Sequence, residues 1–187
     1  MSASPALVLA SSSPQRRQLL AGMGVPFEVR SPDVEELSAG EDAGAVAVEN
    51  ALRKARAAVR VGAREVIIGC DTIVVLDGVI YGKPADEQAA SRTLSALAGR
   101  THEVLSGLAV LVSGEERTAL ARTAVTFRAL AADELAGLVA LGEWQGRSGG
   151  YAIQGGAGRL AESVEGELEN VIGLPLGPLR ELCPELF

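Results

Sequence analysis

The stretch Ile67-Ile68-Gly69-Cys70-Asp71-Thr72-Ile73-Val74-Val75 most constrains what this chain can fold into. A run so apolar reads as a buried strand, and it carries one carboxylate, Asp71, into surroundings where a charge needs a reason to be. Asp77-Gly78 is a hairpin signal; a second apolar run and then Gly82-Lys83-Pro84 follow it. Two readings of Asp71 stand at this point. It is either paired with a neighbouring donor in a structural hairpin or it is an active-site carboxylate.

Around this strand the chain alternates short apolar runs with helical patterns. Leu7–Ala10 reads as a first strand, and Ser11-Ser12-Ser13-Pro14 then opens a helix whose inner face holds Leu19, Leu20 and Met23. Serine at the N-cap and proline at the first helical position are strong start signals. This junction gathers free N–H groups, hydroxyls and the guanidiniums of Arg16 and Arg17 at the positive end of a helix. That composition suits phosphate, and equally a capped helix with two solvated arginines. Phe27–Arg30 reads as a strand, followed by a loop with Asp33, Glu35 and Glu36. Such acids are solvated, or they offer oxygen ligands to a hard cation such as Mg²⁺. A helix is expected over Ala45–Val61, on which Lys54 would ordinarily face solvent.

Beyond the central hairpin, Asp86 caps a helix running to about Ala98 with Gly99 as its stop. Val104–Val112 and Thr118–Arg128 form a long hairpin around Ser113-Gly114-Glu115-Glu116, and Asp133-Glu134 opens a helix ending near Gly142. The segment Gly146–Gly156 reads as a glycine-rich loop bracketing a short edge strand, because Tyr151 and Ile153 alternate within it. Leu160–Val164 is a further strand, and Asn170–Pro175 leads into a last helix through Leu182.

Composition narrows the function. With 187 residues and 48% hydrophobic side chains the chain buries a sizeable core as one domain over 1–187, and its net charge of −7 opposes binding to nucleic acid polymers. Cys70 and Cys183 have neither metal-ligand spacing nor a disulfide framework, so both read as reduced apolar thiols. No signal segment and no membrane span is visible, which points to a soluble cytoplasmic protein. Gly78–Lys83 falls short of a phosphate loop, since its glycines are too close and Pro84 replaces the required Ser/Thr. The glycines at 149–158 neither follow a first strand nor open a helix. His102, the sole histidine, lacks triad or zinc-site spacing and reads as a surface or turn residue.

Five segments, in order, resemble the Maf family of nucleoside triphosphate pyrophosphatases. They are Leu9–Pro14 with Arg16–Leu20; Asn50-Ala51-Leu52-Arg53-Lys54-Ala55; Gly69-Cys70-Asp71-Thr72 with Gly82-Lys83-Pro84; Gly99–Val104; and Gly149–Gly155 with Val171–Pro175. The resemblance covers nearly the whole chain. It implies a mixed α/β (α+β), Maf/ITPase-like fold: an elongated curved mixed β-sheet with flanking helices, in two lobes around a cleft. It also implies hydrolysis of a nucleoside triphosphate to the monophosphate and pyrophosphate with a divalent metal, Mg²⁺ or Mn²⁺, and commonly a homodimer.

By this resemblance Asp71 is the proton acceptor, and Ser11, Ser13, Arg16, Lys54 and Lys83 handle phosphate. Glu36 is a metal partner together with Asp71. The chemistry agrees, because water attacking an α-phosphorus needs a carboxylate as base or metal ligand, and cations for the phosphoryl oxygens. Base choice rests on three positions, which a dTTP/UTP subfamily fills with Arg, Thr and Gln and a 7-methyl-GTP subfamily with Trp, Gln and Glu. This chain has Gln15, Thr72 and Gln154, so two positions side with pyrimidines and Gln15 matches neither. Two rivals remain: an aspartyl-phosphate phosphatase, which ordinarily has a second acid where Ile73 stands, and a non-catalytic nucleotide-binding regulator, since the family name derives from a septum-formation phenotype.

Overall fold

The computed structural model describes residues 6–186. Seven strands build one mixed sheet: β1 (Ala6–Leu9), β2 (Phe27–Val29), β3 (Glu65–Leu76), β4 (Val79–Tyr81), β5 (Thr101–Val112), β6 (Glu115–Phe127) and β7 (Ala161–Glu165). Their order is β2-β1-β3-β5-β6-β7, with β4 hydrogen-bonded to the far end of β3. Strand β1 runs parallel to β2 and β3, and the remaining pairs are antiparallel. The helices are α1 (Pro14–Gly22), α2 (Ala43–Ala57), α3 (Glu87–Leu97), α4 (Ala132–Ala140), α5 (Leu168–Ile172) and α6 (Leu176–Leu182). This is the mixed α/β architecture the sequence resemblance implies. No helix among the described residues is long and apolar enough to cross a membrane.

The length of β3 and β5 places the site. Near one end, β3 pairs with β1, and the face carrying Ile68 and Cys70 packs on Leu20 of α1 and Leu174 and Leu179 around α6. Near the other end, Val74 and Leu76 join a second cluster with Leu94 and Leu97 of α3, Phe127 and Tyr151. Asp71 lies between the two, directly opposite Gly107 of β5.

Helix α2 crosses the opposite face of the sheet at very short range. Ala47, Ala51 and Ala55 recur every four residues, are wholly buried, and form its contact stripe. On the sheet side stand Gly69 and Gly107. A Cβ on Gly69 would lie 2.1 Å from the carbonyl oxygen of Ala51, and one on Gly107 would lie 2.2 Å from that of Ala47. Glycine is therefore required at both positions for helix and sheet to touch backbone to backbone.

Several local expectations change. Asp42, accepting from the N–H groups of Gly44 and Ala45, starts α2 two residues earlier than the helical pattern, and the helix stops at Ala57. The long hairpin turns on Ser113-Gly114 alone, so Glu115 and Glu116 already belong to β6. The edge strand expected around Tyr151 and Ile153 is absent. Gly149 and Gly150 have φ of +70° and +68°, a conformation no strand continues through, and Tyr151 is turned into the core. There its hydroxyl meets His102 Nε2 at 2.9 Å. His102 is accordingly no surface residue: it is 1% exposed in β5 and stacks edge-on against Phe127 and Tyr151. Burial lowers its pKa to about 4, so it is neutral at ordinary pH.

Candidate active site

Asp71 is held from above by α2. Lys54 and Asn50 are four residues apart, hence on one side of the helix, and both are buried. Lys54 Nζ lies 2.6 Å from Asp71 Oδ1, and Asn50 Nδ2 donates to Asp71 Oδ2 at 2.9 Å. Both carboxylate oxygens thus have donors, and the charge has a cation, which is what burial demands. Lys54 is therefore not the solvated helix lysine of the pattern-based expectation. The near-contact of α2 with Gly69 brings its short flank over Asp71, and no solvent-facing position remains for the side chain.

The coil before α2 brings in Glu36, whose Oε1 is 2.8 Å from Lys54 Nζ. Glu36 Oε2 accepts at 3.5 Å from Lys83, which stands just past β4. Burial works to raise the Glu36 pKa, but the hydrogen bond and charge of Lys54, with help from Lys83, outweigh it and keep the carboxyl below its ordinary value.

The third wall is the β1–α1 junction. Ser13 is the N-cap, accepting from the Arg16 N–H at 3.4 Å, and no acidic residue stands in the first turn. Its hydroxyl also donates to Gln15 Oε1 at 3.1 Å. The Arg16 guanidinium is fixed at three points: the Gly173 carbonyl at 2.8 Å, Ser11 Oγ at 3.2 Å and Thr72 Oγ1 at 3.2 Å. Arg17 is exposed and turned away from the site, so only one of the two adjacent guanidiniums serves it.

These walls enclose an open cleft of about 650 Å³, and all ten sequence-nominated residues line it: Ser11, Ser13, Gln15, Arg16, Glu36, Lys54, Asp71, Thr72, Lys83 and Gln154. The volume suits a nucleotide-sized ligand. Sequence reasoning missed Asn50, Arg147 and Ser148. Ser148 Oγ donates to the Thr72 carbonyl at 2.8 Å, and Arg147 adds a further cation to the lining. Asn50 had a signal in its spacing, one turn before Lys54; Arg147 had none, since its place over the cleft follows from the path of a loop with positive-φ glycines on both sides of it, Gly146, Gly149 and Gly150.

Among the described residues no cluster of three or more His, Cys, Asp or Glu side chains is arranged to hold a metal. The cleft instead offers two carboxylates, Glu36 and Asp71, brought together on the Lys54 ammonium. That is the set expected for Mg²⁺, which uses one or two protein carboxylates and takes its other oxygens from phosphate and water. The residues fit a metal that arrives with a phosphorylated ligand.

The family described as Maf-like protein matches residues 6–186. This chain belongs to the Maf family. Its relatives include proteins named dTTP/UTP pyrophosphatase. The one from Symbiobacterium thermophilum is 44% identical over 171 residues, 91% of this chain and 88% of the relative. That from Moorella thermoacetica is 44% identical over 179 residues, 94% of this chain and 92% of the relative. The Deinococcus radiodurans protein is 40% identical, covering 95% and 91%. Among solved structures, the Staphylococcus aureus Ham1 protein aligns with a TM-score of 0.47 at 16% identity, over 65% of this chain and 71% of that one. The five Maf-like segments come together in space: the first four supply β1–α1, α2, β3–β4 and the start of β5, and the fifth supplies the glycine loop and the Gly173 carbonyl that anchors Arg16.

Proposed function

We propose that this protein is a nucleoside triphosphate pyrophosphatase, cleaving the α–β phosphoanhydride of a pyrimidine nucleotide, dTTP or UTP or a modified form, to release the monophosphate and pyrophosphate. The observation that carries the reading is the buried Asp71 carboxylate, fixed by Lys54 and Asn50 at the floor of a cleft whose other walls present Arg16, Lys83 and a capped helix N-terminus. A hydrolase needs one base and several cations, and this cleft supplies them.

In this mechanism the triphosphate lies along Arg16, Lys54 and Lys83, with the Ser11 and Ser13 hydroxyls and the first N–H groups of α1 donating to its oxygens. Asp71 takes the proton of the attacking water; Lys54 balances the carboxylate charge before the transfer, and the transfer neutralises the carboxyl. A divalent ion, Mg²⁺ or Mn²⁺, held by Glu36 and Asp71 would neutralise phosphate charge and polarise the phosphoryl group. Arg16, with its guanidinium already fixed at three points, is ready for developing negative charge without reorganisation.

Gln154 stands exposed at the rim and Gln15 at the α1 wall, with Thr72 beneath. A carboxamide both donates to a pyrimidine O4 and accepts from N3–H, which suits Gln154 to thymine or uracil. Gln15 brings no charge where the pyrimidine subfamily has arginine; its oxygen is engaged by Ser13, which leaves its amide hydrogens for the ligand. The working protein in this reading is a cytoplasmic homodimer.

The test is to incubate purified protein with a panel of nucleoside triphosphates and Mg²⁺ or Mn²⁺ and to separate the products. Pyrophosphate with dTMP or UMP is expected. Orthophosphate would replace this reading with an aspartyl-phosphate phosphatase, and tight binding without turnover would replace it with a regulator.

A further inference from the structure

Asn50 is 1% exposed, and its carboxamide makes contacts on two sides. Oδ1 accepts from the Leu37 N–H at 2.7 Å, while Nδ2 donates to the Leu37 carbonyl at 3.0 Å and to Asp71 Oδ2 at 2.9 Å. The orientation of the amide is not arbitrary. Leu37 N–H can only donate, so Oδ1 must face it, and the NH₂ group must therefore face Asp71.

Leu37 follows Glu36 directly. Clamping its N–H and its carbonyl fixes the backbone from which the Glu36 side chain reaches Lys54. Two neighbours of Asn50 on α2 grip the same segment: Arg53 donates to the Glu35 carbonyl at 3.2 Å, and Lys54 binds Glu36 itself at 2.8 Å. Of these, Asn50 alone joins the coil to the Asp71 carboxylate without contributing a charge.

We propose that Asn50 is a positioning residue that sets the two carboxylates, Glu36 and Asp71, at a fixed separation and orientation, and so determines both metal affinity and turnover. A side chain whose task was only to anchor the coil would have no need to reach Asp71, and one whose task was only to satisfy Asp71 would have no need of Leu37. A carboxamide does both because it donates and accepts from one planar group. Aspartate at this position would keep the acceptor but lose the donor, and would set an anion against Asp71.

The proposal rests on the pyrophosphatase reading for its turnover arm and is independent of it for its binding arm. Mn²⁺ affinity is measured by electron paramagnetic resonance with inorganic pyrophosphate as the phosphate ligand for the wild type, Asn50→Ala and Asn50→Asp, alongside steady-state pyrophosphate release. Disturbing a group that orients metal ligands weakens affinity or activity by about 10–100-fold. Both variants are expected to lose Mn²⁺ affinity and kcat in that range, with the nucleotide KM changed less than about threefold because Arg16 and Lys83 are untouched. Folded variants matching the wild type within twofold in Mn²⁺ affinity and kcat would overturn the proposal. A wild type that releases no pyrophosphate, with variants that still lose Mn²⁺ affinity, would overturn the catalytic reading and leave the positioning role standing. Should neither variant fold, the side-chain amide resonances of Asn50 in the wild type decide: they should shift on titration with Mg²⁺, and fixed resonances would refute the role.

Discussion

Replacing Gly69 with alanine tests how this site is assembled without altering any group in the cleft. The added Cβ would lie 2.1 Å from the Ala51 carbonyl oxygen and 2.9 Å from the Ala55 Cβ, where ordinary contact begins at 3.4 Å, a shortfall of about 1.3 Å against rigid backbone. No rotamer relieves it, so α2 must lift from β3. Overpacking of this kind costs about 1–3 kcal/mol, and a backbone obstacle places it near the upper end. For a chain of this size each kcal/mol lowers the melting temperature by about 2–4 °C, so a fall of roughly 4–12 °C is expected. The lift also draws Lys54 and Asn50 away from Asp71, and a misplacement of about 1 Å in a catalytic array can cost on the order of 100-fold in rate. Calorimetry and pyrophosphate release measure the two effects on one preparation. Gly78→Ala is the control: it strains a turn with φ of +78° but meets open space, so it should lower stability by about 1–2 kcal/mol and leave kcat unchanged. A Gly69→Ala protein that melts and turns over like the wild type would refute the claim that helix-to-strand contact sets the site.

Three further outcomes follow from the geometry. Asp71→Asn should fold, since the amide still accepts from Asn50 and Lys54 keeps Glu36, yet it should lose at least about 100-fold in kcat, the lower range for removing a general base; near-normal turnover would exclude Asp71 as proton acceptor. His102 is held neutral with its pKa lowered to about 4, so the unfolded chain binds more protons between that value and about 6.5. Its contribution to stability is therefore full above about pH 6.5 and declines by up to about 3 kcal/mol as pH falls to about 4, and urea titrations should show a shallower pH slope for His102→Phe than for the wild type. Gln15→Arg should raise kcat/KM for dTTP and UTP relative to purine nucleotides, read from competition assays; an unchanged ratio would remove position 15 from base selection.

What the sequence revealed of this site, and what it did not, divides by range. The Ser13-Pro14 start of α1, the Asp77-Gly78 turn and the apolar run around Asp71 are local matters of capping, backbone conformation and periodicity, and they appear in place. Lys54 and His102 were misjudged on pattern alone because their burial is decided by partners far along the chain: Asp71 and Glu36 for one, Tyr151 for the other. The Arg16 anchor joins residues 157 positions apart, a pairing no periodicity encodes. Resemblance implied a phosphate-handling role for Lys54 and Arg16 without their partners, and implied no role for Asn50, although Asn50 lies in one of the five segments.

The outermost long strand has a consequence for solubility. Strand β6 is paired with β7 only from Ala124 onward, so along Glu115–Thr123 one edge of a large sheet has no strand neighbour among the described residues. In a chain this apolar, such an edge is a template for adding a foreign strand. The segment instead carries Glu115, Glu116, Arg117 and Arg122, with Glu116 tied back to Arg56 at 2.7 Å and Arg117 to the Leu182 carbonyl at 2.9 Å. An approaching strand would have to strip water from these charges and break those ties, so the edge remains open without inviting aggregation.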